Sequence, residues 1–173
     1  MTGIRPLGTG VQIVALLLWV VMLGAVFANV EIQIEGGAGW AANLPTWRID
    51  NSWLNLFWGG KTITGYHVWI FSFMALTFHL PLFVTGLFSW RLETRIIGAV
   101  MVFWIAEDFL WFVFNPAFGW GKFAPEFVPW HKHWLLGMPL DYILTLSGGA
   151  ALMSWSYGNT SKENKQRRDA SAT

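Results

Sequence analysis

The chain has 173 residues, of which 54% are apolar and 12% charged, with 13 Trp, 14 Phe, no Cys and a net charge of +1. Soluble domains carry about 45–50% apolar and about 25% charged residues, so this balance excludes a disordered chain and argues against a soluble domain. The composition also excludes a disulfide framework and thiolate metal ligation, and it offers no electrostatic case for nucleic acid.

The first apolar run spans about Val11 to Val30. It is near the length of about 20 residues that crosses a hydrocarbon core of about 30 Å. Val26 and Ala28 suit a signal-peptide cleavage site, but the apolar region is too long and its basic start is only Arg5, so a retained span is expected. The connection that follows, from about Glu31 to Thr64, is long for a small bundle and rich in tryptophan. Its glycine-rich part reads as a turn, and Asp50 or Asn51 can cap a short helix after it. That helix is expected to lie on the outer interface or to fold back as a lid. Glu31 and Glu35, at the outer end of the first span, either face water or reach over a site.

The second run, about Tyr66 to Phe88, contains His67, His79 and Pro81; the proline predicts a kink. The third, about Ile96 to Phe114, is stopped by Asn115-Pro116. The fourth, about Trp134 to Tyr157, follows the segment Trp130-His131-Lys132-His133-Trp134 and carries Asp141 and Gly148-Gly149-Ala150. The glycines permit close helix contact. Residues 1–157 therefore read as one all-α domain, a polytopic integral membrane protein built as a four-transmembrane-helix bundle. The polar tail 158–173 reads as disordered.

Seven Lys and Arg residues (Arg5, Arg91, Arg95, Lys162, Lys165, Arg167, Arg168) fall on one side of such a bundle and four (Arg48, Lys61, Lys122, Lys132) on the other. The excess places both termini on the cytoplasmic side.

Function is expected where polar residues interrupt the spans. Glu107 and Asp108 are adjacent carboxylates in the third run, expensive in hydrocarbon unless paired, protonated or metal-bound. Counting helix rise from the outer ends brings His67, Glu107, Asp108 and Asp141 to depths of roughly 7–13 Å, with His131 and His133 near the rim, so that His67, Glu107, Asp108, His133 and Asp141 are expected to converge in the outer half. His79 lies about 18 Å further along the second helix than His67 and is separate. Nitrogen and oxygen ligands without sulfur suit zinc or iron. The leading expectation is a divalent metal held by His67, Glu107, Asp108, His131, His133 and Asp141. Glu107, Asp108 and Asp141 would then move protons.

Two other readings stay open. In one the same residues form only a hydrogen-bonded, salt-bridged network with Lys122 or Lys132; in the other His67 or His79 ligates haem or a pigment. The signatures Glu-x-x-His and His-Glu-x-x-His are absent. The expected function is a membrane enzyme, an oxidoreductase if the metal is iron, acting on a lipid-like, quinone or isoprenoid substrate in the outer half of the bilayer. The alternative is a non-catalytic small subunit of a larger membrane complex. Partners are then the bilayer, an amphipathic small molecule or that complex, and a second copy of the chain.

Overall fold

The computed structural model describes residues 7–51, 53 and 60–171, with side chains to residue 158. Most of the described chain is in four long helices: α1 (Thr9–Glu35), α2 (Gly65–Thr85), α3 (Trp90–Phe114) and α4 (Leu140–Ser171). The first three are long and apolar enough to cross a membrane. Two small antiparallel pairs, β1 (Arg48–Ile49) with β2 (Ile63–Thr64) and β3 (Trp134–Leu135) with β4 (Met138–Pro139), dress one end.

α3 is the central helix, packed along most of its length on α1 and α4 and less extensively on α2. Small residues allow the first two contacts. On α1 the buried stripe is Val20, Gly24, Ala28, Glu31 and Glu35, spaced by three or four residues and so on one face. Across α3, Gly98 meets Gly149 of α4, where a β-carbon on Gly98 would lie 2.8 Å from the Gly149 carbonyl oxygen. One core unites Val20, Met74, Phe78, Ile96, Ala99 and Phe103; a second unites Ala28, Trp111, Phe112 and Val128.

Helix ends follow local chemistry. Thr64 caps α2 by accepting from the His67 amide at 3.2 Å, and Ser89 caps α3 by accepting from the Leu92 amide at 3.1 Å. α2 closes at Gly86 in the left-handed conformation, three residues short of the expected end, and runs through Pro81 as one helix. α3 stops at Phe114, before Asn115-Pro116. Asn115 ties two helix ends together: its Nδ2 donates to Gly36 O at 2.8 Å, and its Oδ1 accepts from Ala117 N at 2.9 Å.

Two boundaries differ from the apolar pattern. The expected fourth span begins at Trp134, but residues 134–139 form a hairpin turning at Leu136 and Gly137, both with positive φ (52° and 78°). Leu140 N donates to His133 O at 2.8 Å, and the helix starts there. At its other end the helical backbone continues to Ser171, through the polar segment expected to be disordered. That segment is rich in Lys, Glu, Gln, Arg and Ala, which favour helix. The short outer helix expected after Asp50 falls largely outside the described residues.

Candidate functional site

A cavity of about 430 Å³ lies beside α3, between α2 and α4, under the loop that follows α1. α1 supplies Glu31 and Glu35, α2 supplies His67, Phe71 and Ala75, α3 supplies Trp104, Glu107, Asp108 and Trp111, and α4 supplies Asp141, Tyr142 and Thr145. Trp40, Lys61 and Trp130 reach it from the connections. Its polar groups gather near one end of an otherwise aromatic and aliphatic wall, as in sites that hold a small ligand by its head.

One side of the wall is an acid–imidazole–acid chain. The His131 side chain is fully buried, with Nε2 3.0 Å from Asp108 Oδ2 and Nδ1 2.9 Å from Asp141 Oδ2. Both carboxylates line the cavity, whereas His131 stands behind them. Lys61 Nζ lies 3.2 Å from Asp141, and the Tyr142 hydroxyl donates to Asp108. Burial opposes a charged His131, but the Asp108 charge and the hydrogen bonds to Asp108 and Asp141 outweigh it and hold the imidazole above its ordinary value of 6.5. The loop bearing His131 is fixed by the Trp134 indole, which donates to His131 O at 2.8 Å. Phe112, Phe118, Phe123 and Trp130 pack as an aromatic cluster behind it.

The other side of the wall is a glutamate cluster. Glu31 accepts from the Tyr66 hydroxyl at 3.0 Å, and Glu35 accepts from the Ala41 amide at 2.5 Å. Glu107 is 3% exposed. Its Oε1 has no hydrogen-bond partner, and neither does Nε1 of Trp111 one turn on. Above them the loop folds in: Trp40 stacks on His67 with ring centroids 3.8 Å apart, and its Nε1 donates to Thr62 O at 2.6 Å. The part of the connection that covers the cavity is thus the loop around Trp40, ahead of the short helix expected after Asp50. The β1–β2 pair and the bond from Gly65 N to Trp47 O (2.9 Å) anchor the lid to the start of α2. A β-carbon at Gly65 would fall 2.5 Å from the Trp47 ring.

The sequence-predicted residues divide. His67, Glu107, Asp108 and Asp141 share the cavity, and His131 joins two of them. His133 does not join: it is exposed, while His131 two residues earlier is buried, so the two rings do not face one ion. His79 is also elsewhere, its Nδ1 on Ala75 O at 2.6 Å and its Nε2 on Glu93 at 3.1 Å, which leaves neither nitrogen for haem. The six-residue metal set is not assembled as a unit; among the described residues no three His, Asp or Glu side chains are arranged to hold a metal ion. The hydrogen-bonded network is present, but its lysine is Lys61 rather than Lys122 or Lys132. Lys122 donates to Ala117 O at 2.6 Å, and Lys132 is exposed.

Lys61 and Trp40 complete the site and were not singled out as members of it by sequence; Glu31 and Glu35 take the second of their two expected places, at the cavity rather than in water. Compared with protein-family models, curated proteins and solved structures, the chain has no match.

Proposed function

We propose that the chain is an integral-membrane enzyme that receives an amphipathic, lipid-like molecule in the cavity and transfers a proton at its polar head. The observation that carries this reading is the Asp108–His131–Asp141 chain, with two carboxylates on the cavity surface and a buried imidazole joining them. Asp108 is the acid or base that meets the substrate. Tyr142 and His131 position it, and the imidazole gives a route for the proton to Asp141, which Lys61 holds. The aromatic walls keep the tail and exclude water. In this reading α4 is a fourth span, both termini are cytoplasmic, and the cavity lies in the outer half of the bilayer.

The reading uses proton transfer rather than a metal-bound nucleophile because both nitrogens of His131 are already engaged by carboxylates. A zinc or iron form would have to draw on the glutamate cluster with His67, whose side chains do not converge on one point as they stand.

The test is to reconstitute the purified chain with fractionated membrane lipids and quinones, incubate, and compare each fraction by mass spectrometry. Wild-type protein should change the mass or isomer distribution of one fraction. Asp108→Asn should not, while keeping its melting temperature within a few degrees. No change in any fraction, or an equally active Asp108→Asn, overturns the reading. Metal content measured on the same sample decides the zinc or iron form.

The non-catalytic alternative draws on α2, whose Trp69, Phe73, Leu76, Leu80, Phe83 and Val84 are all exposed. Such a face suits lipid or a partner helix equally, so only co-purification of a stoichiometric partner would favour it.

A further inference from the structure

Among the described residues, two fully buried polar atoms of the cavity wall lack a hydrogen-bond partner, one an acceptor and one a donor. Glu107 Oε1 and Trp111 Nε1 both lack a partner, and both residues are 3% exposed. They lie four residues apart on α3, so they share a face one turn apart. Buried polar groups are ordinarily satisfied, and an orphaned acceptor beside an orphaned donor describes what is missing. The complement is a group that donates at one point and accepts nearby.

Charge narrows the choice. Asp108 and Asp141 are matched by His131 and Lys61. Glu31, Glu35 and Glu107 line the same cavity, and among the described residues none of the three has a cationic partner within ion-pair distance. Around them stand the rings of Trp40, Phe71, Trp104 and Trp111. Aromatic faces attract ammonium groups, most strongly where water is excluded. The chain already makes this pairing at the cavity edge, where Lys61 Nζ sits 4.5 Å from the centre of the Trp40 ring and also meets Asp141. A bare metal ion would need converging ligands, which these residues do not supply. An ammonium needs only an acceptor and an aromatic face.

We infer that the cavity takes the head of an amphipathic amine, its ammonium donating to Glu107 and an adjacent oxygen accepting from the Trp111 indole N–H. An amino-alcohol head supplies both groups. The inference rests on the proposal that the cavity receives an amphipathic molecule, and it names the chemistry of the head.

Calorimetric titration of the full chain in maltoside micelles tests it, with protein-free micelles subtracted. Four twelve-carbon probes are compared: an amino alcohol, dodecylamine, dodecanol and dodecanoate. The two amines should bind saturably, with dodecanol roughly tenfold or more weaker and dodecanoate not bound. Glu107→Gln should weaken both amines about tenfold and leave dodecanol unchanged. Trp111→Phe should bring the amino alcohol down to the level of dodecylamine. Glu31→Gln serves as a second charge-removing variant should Glu107→Gln melt early. Equal affinity for dodecanol and the amines, or full amine affinity in both glutamine variants, overturns the ammonium inference while the amphipathic reading stands. No saturable binding of any probe overturns both.

Discussion

Gly24 of α1 and Glu107 of α3 meet at a close helix approach: a β-carbon on Gly24 would lie 3.2 Å from the Glu107 amide nitrogen. The contact sets how near Glu31, two turns further along α1, comes to the cavity wall. Gly24→Leu should force the helices apart and destabilise the protein by about 1–3 kcal/mol, the range for overpacking. The loss should appear as a lower melting temperature in detergent. Gly24→Ala should show a smaller shift, since the neighbours need to move only a few tenths of an ångström.

Gly98 is more tightly constrained, because its missing β-carbon would lie 2.8 Å from both the Gly149 carbonyl oxygen and the Met153 side chain, against 3.2 Å to the nearest atom at Gly24. A carbonyl in a helix cannot turn aside. Gly98→Ala should therefore lower stability by about 1–3 kcal/mol, more than Gly24→Ala does, despite the better helix propensity of alanine. Melting curves of the two alanine variants, taken side by side, check the order.

His131 and His133 should respond in opposite ways. His131→Ala removes two carboxylate contacts from a fully buried ring; with Asp108 and Asp141 partly exposed, the loss should be about 1.5–3 kcal/mol. His133 is exposed, and His133→Ala should stay within about 0.5 kcal/mol of wild type. An equal loss in both would contradict the environments described for the two rings.

The charge on His131 makes its contribution depend on pH. Its folded value is raised above the ordinary 6.5, so the folded state binds the proton more tightly than the unfolded state. The stabilisation is fully present below about pH 6.5 and declines as pH rises through the folded value. Wild type should thus exceed His131→Gln most at pH 6 and progressively less above it. Melting temperatures of both proteins across pH 6 to 9 measure the difference; an advantage that grows with pH would refute the charged pairing.

Tyr142→Phe isolates a single donor. The hydroxyl donates to Asp108, and Tyr142 is 1% exposed. Its removal should cost about 1–2 kcal/mol and also lower any turnover, because Asp108 loses part of its orientation. Stability and activity that are both unchanged would separate Tyr142 from the site.

The apolar runs were legible because lipid-length helices depend on composition, and three of them satisfy it. Much of the site was legible for a related reason. Acids amid hydrocarbon demand partners, and depth counting along helices brought His67, Asp108 and Asp141 together. His133 misled because an x-x spacing places two rings on one side only in a regular strand, and residues 131–133 form none. Glu31 and Glu35 left a readable trace: they continue the three-and-four spacing of Gly24 and Ala28, the stripe that packs on α3. Lys61 and Trp40 left none. Their positions depend on how the long connection folds over, and β1 with β2, which fixes it, is only two residues long on each side.

The wall of the cavity is shared by α2 and α4, with Ala75 midway along α2 and Thr145 in the second turn of α4. On the proposed reading of a chain seated in a bilayer, a gap between these two helices would face sideways into lipid, with Trp40 covering the end. The reservoir that feeds it is then the membrane itself. Occupancy should scale with the mole fraction of the molecule among the surrounding lipids, and diluting the vesicles in buffer at fixed lipid composition should leave it unchanged.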